Sequence, residues 1–248
     1  MVLNAEYKIL TTALMGKLSL VAPKLINKCQ AAFIKGRSIF DQIDLVSRMM
    51  DLCEITNQDG AIITLDQEKA YDKIRHDYLW KVLETMNIPQ NLVKTIRSLY
   101  SNAETMVILN GEMSRKFRVT RGVCQGDPLS CLLFNLAIEP MSHILRTTDK
   151  LMGLNIDTPD NHHKAILALF ADNATVFLSK NDNPETLLKI LDKWCSASGA
   201  KFNRDKTVII PVGLESYRND VITNHSLNNR NEYIFPESIH ILKDGETT

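Results

Sequence analysis

Two aspartates in this 248-residue chain sit where side chains leave rigid strands. Asp66 follows the apolar run Ala61-Ile62-Ile63-Thr64-Leu65, which Gly60 opens and which reads as a buried strand. Asp172 lies in Phe170-Ala171-Asp172-Asn173, the joint between two apolar runs, Ala165 to Phe170 and Ala174 to Leu178. That joint reads as a hairpin tip. If the two strands are sheet neighbours, the carboxylates converge. Converging carboxylates hold hard divalent cations, usually magnesium. An ion pair held about 3.5–4 Å apart can activate an attacking hydroxyl and stabilise leaving phosphate oxygens, which is nucleotidyl-transfer chemistry. The ordinary reading is that Asp and Asn are turn residues, tolerant of left-handed backbone and able to bond their own main chain. Spacing alone leaves both readings open.

Other candidates have competing readings too. Arg115, Lys116, Arg118 and Arg121 fall within seven residues with no acid among them. They form either a solvated hairpin face or a contact for a nucleic-acid backbone. His162 and His163 read as a solvated polar turn before a strand, and Trp194 reads as core beside Leu187, Leu188 and Leu191. The five cysteines, at 29, 53, 124, 131 and 195, show no paired ligand spacing, which points to free thiols in a reducing compartment. Net charge is zero, so any phosphate contacts must come from local clusters rather than a basic excess. The N-terminal apolar stretches are interrupted by Glu6, Lys8 and Lys17, which fits an amphipathic helix and gives no membrane anchor.

The elements that would position these groups follow from periodicity. Helical spacing covers about Ala5 to Val21, closed by Pro23, and Phe40 to Cys53 with Ile43, Val46, Met50 and Cys53 on one stripe. Phe33 to Ser38, with Lys35 and Arg37, reads as a loop or short strand. Helical patterns resume at Leu79 to Met86 and, after Pro89, at Leu92 to Leu99. Thr105 to Leu109 and Arg115 to Val119 flank Asn110-Gly111, a hairpin signal. Asp127-Pro128 reads as an N-cap with proline at the first helical position, opening a helix that tolerates or kinks at Pro140. A helix from Pro184 to about Ala197 and a strand from Thr207 to Pro211 follow. Beyond Gly213 the chain reads as polar and irregular, through Asn228-Asn229-Arg230-Asn231 and Asp244-Gly245. Helices and strands without regular alternation predict an α+β class.

Five blocks in order resemble the reverse transcriptases, and their wording is most similar to those of non-LTR (LINE-type) retrotransposons. The first catalytic block is Leu65-Asp66-Gln67-Glu68-Lys69-Ala70-Tyr71-Asp72, and the second runs from Arg121 to Ser130. Phe170-Ala171-Asp172-Asn173 stands where the family has an aromatic residue, any residue and two aspartates. Ser198 to Thr207 resembles the following block, and Gln30 to Ser38 a fingers motif. The resemblance spans roughly Leu3 to Val212. It implies a right-hand polymerase palm, an antiparallel sheet backed by helices, with partial fingers in 1–60, palm with inserted fingers elements in 61–212, and a polar tail in 213–248. It further implies two magnesium ions, replaceable by manganese, on Asp66 and Asp172. Tyr71 would be the aromatic gate under the incoming sugar, and Gln125 and Gly126 would lie beside nucleotide and template. Lys206 and Arg37 would contact the triphosphate. The implied partners are an RNA template, a DNA primer and a dNTP, with no membrane, and the implied location is the cytoplasm or nucleus. Nothing in the sequence sets an oligomeric state.

The sequence departs from the pattern at three points. Asn173 replaces the second aspartate of the tip and removes one negative charge from the metal site. Cys131 stands where many relatives have proline, and Phe170 replaces tyrosine. By the same resemblance the chain is expected to lack the arginine segment before the first fingers block. It is also expected to stop before the primer grip and thumb. Impaired RNA-directed DNA polymerase is therefore the leading expectation. The alternatives are a non-catalytic retrotransposon remnant with residual nucleic-acid binding and, third, a group II intron-type maturase.

Overall fold

The computed structural model describes residues 4–158, 161–228 and 233–243. Leu3, Asn229, Arg230, Asn231, Asp244 and Gly245, all named above, lie outside the described residues. The chain runs α1 (Ala5–Ser19), α2 (Ala22–Leu25), α3 (Ile39–Thr56), β1 (Gly60–Gln67), α4 (Ala70–Lys73), α5 (His76–Thr85) and α6 (Gln90–Ser101). Four two-residue strands follow, β2 (Glu104–Thr105), β3 (Ile108–Leu109), β4 (Glu112–Met113) and β5 (Phe117–Arg118). Then come α7 (Pro128–Thr147), β6 (Leu154–Thr158), β7 (Asn161–Ala165), β8 (Leu167–Phe170), β9 (Asn173–Ser179), α8 (Pro184–Ser198), β10 (Phe202–Val212), α9 (Glu215–Asn224) and β11 (His240–Ile241).

The main sheet has the order β11-β10-β1-β9-β8, antiparallel except for the β10–β11 pair. Its strand β1 has neighbours on both edges and helices or a hairpin on both faces, which explains a near-continuous apolar run where a one-sided strand would alternate. Ala61, Ile63 and Leu65 face the larger core, built with α1 and α5 to α8. Ile62 faces a smaller cluster with Met49 and Cys53 of α3, Phe177, Val212, and Leu154 and Ala165 of the β6–β7 hairpin. Successive strand side chains alternate faces, so Asp66 shares the face of Ile62. On that face Ile62 is fully covered, whereas Thr64 and Asp66 are half-buried. The α3 side therefore closes over the Gly60 end of β1 and leaves the Asp66 end open.

Helix α7 is the central strut of the larger core. Asp127 caps it by accepting from Leu129 N at 3.1 Å, and Pro128 occupies the first turn, where its missing N–H costs nothing. Pro140 is accommodated inside the helix. By length and apolarity alone α7 could cross a membrane, but 72% of that window is buried inside the fold. Its neighbours are α1, α5, α8 and β8.

Several expectations need correction. Pro23 does not close α1; the helix ends at Ser19 and Pro23 opens α2. On α3 the predicted stripe is rotated: Met49 and Cys53 are buried against Ile62, Phe177 and Val212 of the sheet, while Ile43 and Met50 are exposed. The Asn110-Gly111 turn forms as expected, with φ of 51° and 85°, but the hairpin divides into two short pairs, β3–β4 and β2–β5. His162 and His163 lie in β7, paired with Asp157 and Ile156, not in a turn. Among the described residues beyond Gly213 the chain is not irregular throughout: α9 forms, Tyr217 Oη donates to Leu227 O at 2.9 Å, and Phe235 and Ile241 are buried in the core. The expected core role of Trp194 holds; its Nε1 donates to Tyr78 Oη at 3.0 Å. All five cysteines are free thiols.

A solvated tail and a packed one respond differently to truncation. Phe235→Ala is expected to destabilise the fold by about 3–5 kcal/mol in urea denaturation, the cost of deleting a buried aromatic. An unchanged midpoint would mean that residues 233–243 do not belong to the folded unit.

Candidate active site

Strand register, rather than chance proximity, delivers Asp66 to the hairpin tip. β1 and β9 pair from Gly60↔Ser179 to Leu65↔Ala174. Continuing by one residue sets Asp66 opposite Asn173, and by two sets Gln67 opposite Asp172. The Gln67 Nε2 indeed donates to the Asp172 carbonyl at 3.2 Å. Residues directly opposite on antiparallel strands project to the same face. The pairing itself ends at Leu65↔Ala174, so Asp66 and Asn173 are the next residues beyond it on their two strands. Among the described residues, no cluster of three or more His, Cys, Asp or Glu ligands assembles.

On its other side, β1 meets β10 through a bulge. Thr64 pairs with Val208, but Asp66 pairs with Asn203, leaving Arg204, Asp205 and Lys206 looped out. Bulges re-aim side chains. Here the Lys206 ammonium comes 3.5 Å from Asp66 Oδ2. Glu68, the next acid along, is already neutralised: Lys201 at 2.9 Å and Lys73 at 3.2 Å hold its pKa below the usual carboxylate range.

Tyr71 stands beside the same tip. Its ring stacks on Phe134 of α7 at 4.9 Å and 19°, with the Cys131 thiol close enough to perturb its hydroxyl. Burial, Cys131 and the nearby Asp172 charge all push the Tyr71 pKa up, so the phenol stays protonated. Cys131, noted above only as a departure, therefore helps to orient the ring. The Arg121–Gln125 turn docks against this segment. Gly122 has φ of 86°, and a Cβ there would meet Asp72 O at 3.0 Å and Tyr71 O at 3.1 Å, so only glycine fits. Val123 N donates to Tyr71 O at 2.7 Å. Gln125 and Gly126 are exposed, and Gln125 lines an open cleft of about 860 Å³ with Asp72, Tyr7, Tyr100, Phe117 and Gly122.

Arg37 is not brought to this site. Its guanidinium donates to the carbonyls of Asn27 and Gln30 at 2.6 Å each, Ile26 at 2.9 Å and Pro23 at 3.3 Å. With its donors engaged by main chain, it acts as a staple for the 23–37 loop and not as a triphosphate contact. Arg115 and Lys116 are exposed between β4 and β5, Arg118 donates to Ser101 O at 2.6 Å, and Arg121 is exposed beside the glycine turn.

Gln30 carries a role that sequence reading missed. It is fully buried, accepts from Ala171 N at 3.0 Å, and donates to Ala171 O at 3.2 Å. It thus grips both polar groups of the residue preceding Asp172. A single amide flanked by Cys29 and the apolar Ala31-Ala32-Phe33-Ile34 was the available signal. It had no partner until the fold brought position 171 to position 30.

Were Asp66, Asp172 and Asn173 to act together, their donors would all be oxygen, two carboxylates and an amide, the kind that suits a hard divalent cation. A set with Asp at 173 would carry one more negative charge. Two unit charges about 4 Å apart interact by about 4 kcal/mol at an effective dielectric of 20. Retaining even a third of that difference would weaken cation binding about tenfold.

Comparison with known proteins gives a consistent pattern. The family described as Reverse transcriptase (RNA-dependent DNA polymerase) matches residues 1–226. The chain is similar to the Transposon TX1 uncharacterized 149 kDa protein of Xenopus laevis, 31% identical over 205 residues, 83% of this chain and 15% of that protein. It is also similar to the Retrovirus-related Pol polyprotein from type-2 retrotransposable element R2DM of Drosophila melanogaster, 32% identical over 152 residues, 61% of this chain and 14% of that one. The chain thus spans about a seventh of the length of these curated relatives. Among solved structures, telomerase from Candida albicans in complex with a TWJ fragment of telomeric RNA superposes with a TM-score of 0.58. The match covers 82% of this chain and 34% of that one at 16% identity. Telomerase from Candida tropicalis gives 0.53, covering 81% and 33% at 17% identity. These two likenesses carry the fold.

The Gln30 grip makes a specific prediction. Gln30→Leu leaves the buried Ala171 N–H and C=O unpaired, at about 1–3 kcal/mol for each group. The Ala171 amide is expected to exchange with solvent at least ~10-fold faster for every 1.4 kcal/mol lost, read by hydrogen exchange. Unchanged protection at Ala171 would remove Gln30 from any positioning role.

Proposed function

Since the chain belongs to the reverse transcriptase (RNA-dependent DNA polymerase) family, in its non-LTR retrotransposon branch, we propose that it is a nucleotidyl-transfer domain working on a primed RNA template and weakened by Asn173. The supporting observation is the register that carries Asp66 to the Asp172-Asn173 tip, with Lys206 and Tyr71 alongside. In this reading residues 61–212 serve as palm with inserted fingers elements, and 1–60 contribute part of the fingers.

Asp66 and Asp172 would hold the divalent cations, for which magnesium is the first choice and manganese a substitute. When bound, such ions lower the pKa of the attacking hydroxyl and neutralise charge on the leaving phosphates. The chain's own residues do the rest. Lys206 swings from Asp66 to the incoming triphosphate as a mobile cation; its exposed side chain has room to do so. The Tyr71 ring, fixed by Phe134 and Cys131, forms a floor under the sugar and crowds a ribose 2′-hydroxyl, which selects deoxynucleotides. Gln125 and Gly126 line the approach of the base pair, where the missing Gly126 side chain leaves open space. The site would act where the element's RNA is met, in the cytoplasm or nucleus.

A second reading, a non-catalytic remnant, is favoured by the same register, since the substituted residue is the first beyond the Leu65↔Ala174 pair, as Asp66 is on its own strand. The two readings separate by experiment. Primer extension on a primed RNA template with magnesium is expected to be negligible for this chain, and processive synthesis would overturn the impairment. Asn173→Asp is expected to tighten manganese binding by at least ~10-fold, measured by water-proton relaxation, because a full charge returns beside the cation. It should also raise manganese-supported extension. With Asp66→Asn as the blank, no gain in manganese affinity from Asn173→Asp would mean that the tip does not hold metal.

A further inference from the structure

Helix α7 is packed by the larger core on most sides, yet one stripe along it is polar. Asn135, Glu139, Ser142 and Arg146 recur at steps of four, three and four residues, which sets them on a single face. Asn135 and Ser142 are buried, Glu139 is 6% exposed, and the Arg146 side chain lies at the edge of the core.

A stripe of this kind lowers stability. Buried polar groups and ion pairs are commonly less stabilising than well-packed apolar side chains of similar volume. Two signs of that cost are visible. Burial pushes the Glu139 pKa up, against the lowering effect of Asn27 N and Arg146. The Asn135 Oδ1 is buried and, among the described residues, has no hydrogen-bond partner. Leucine or methionine at these positions would fill the core without either penalty.

What the stripe does is hold one loop. Asn135 Nδ2 donates to Ala32 O at 2.7 Å, Glu139 Oε2 accepts from Asn27 N at 3.2 Å, and Ser142 Oγ lies 3.2 Å from the Cys29 thiol. Arg146 ties the stripe together, donating to Glu139 Oε1 at 3.0 Å and to Ser142 Oγ at 3.2 Å. From the other side Arg37 donates to Asn27 O at 2.6 Å, and the Asn27 side chain accepts from Cys29 N at 3.0 Å. Asn27 is thus held at its N–H, its carbonyl and its side chain.

The held residues are the ones that reach the hairpin. Gln30 stands between Cys29 and Ala32, and its Oε1 accepts from Ala32 N at 3.0 Å as well as from Ala171 N. Cys29 O accepts from Leu169 N at 2.7 Å. Residues 27–32 form no helix or strand of their own, only the isolated bridge Gln30↔Leu169, so side chains set the offset of the loop along α7. We propose that Asn135, Glu139, Ser142 and Arg146 are positioning residues, a polar ladder that fixes where Gln30 stands, and through it the Asp172 tip, at a cost in core stability. The ladder touches neither aspartate. Its bearing on catalysis rests on the polymerase reading, whereas its bearing on the tip does not.

The test sets local order against global stability. Glu139→Met with Arg146→Met removes both charges, so that neither is left buried alone. The urea midpoint is expected to hold or rise. The Ala171 amide is expected to exchange at least ~5-fold faster, as for the loss of about one net hydrogen bond from the hold. Glu139→Gln keeps an acceptor for Asn27 N and is expected to keep wild-type exchange at Ala171. If the double variant does not fold by circular dichroism, Asn135→Leu carries the same two expectations through the Ala32 carbonyl. Unchanged or slower exchange at Ala171 would overturn the proposal. So would a midpoint that falls together with protection and is not restored in Glu139→Gln, since the stripe would then be scaffold alone. If Asn173→Asp brings no gain in manganese affinity while the double variant frees Ala171, the polymerase reading falls and the ladder stands.

Discussion

The candidate site depends on one buried amide. Ala171 must sit in left-handed backbone, φ of 55°, for the hairpin to turn where it does, and an alanine there costs about 1–2 kcal/mol. Gln30 offsets that cost by satisfying both main-chain groups of Ala171 in a place water does not reach. The grip works only because Gln30 is itself held. Ala31 N donates to Leu169 O at 2.9 Å, Leu169 N to Cys29 O at 2.7 Å, and Arg37 binds the Gln30 carbonyl. From α7, Asn135 donates to Ala32 O at 2.7 Å, and Glu139 accepts from Asn27 N at 3.2 Å. The same helix therefore packs beneath Tyr71 and anchors the loop that fixes the tip.

This dependence explains which parts were legible from sequence. The strand end at Asp66 and the hairpin tip at Asp172 could be read because both have local signatures. The N-cap Asp127 and the core Trp194 were readable for the same reason: each announces itself within a few residues. Gln30 and Arg37 were not, because their partners lie across the fold or along an irregular loop, and nothing in their neighbours' spacing encodes a carbonyl to bind. The rotated stripe on α3 failed differently. Its 3.6-residue period is real, but which side is buried depends on how the helix lies across the sheet, which only the tertiary structure supplies. The residues after Gly213 were misread because Tyr233-Ile234-Phe235 and Ile239 to Leu242 are short apolar clusters among polar residues, too brief to give a period.

Charge shows the limits of bulk composition. A neutral chain argues mildly against a polyanion ligand, yet five cations gather around one cleft while Glu68 and other acids are paired elsewhere. The field that a strand would meet is set within about 8–10 Å by salt screening, so local segregation outweighs the global sum.

Asn173 separates the two properties that a polymerase palm combines. The position is exposed and ends a tight turn, where asparagine is as acceptable as aspartate, so the substitution leaves strand register and core untouched. On the proposed reading a metal site would feel the lost charge, whereas the fold rests on burial and hydrogen bonds, among them the Gln30 grip and the α7 core, which the side chain at 173 does not enter.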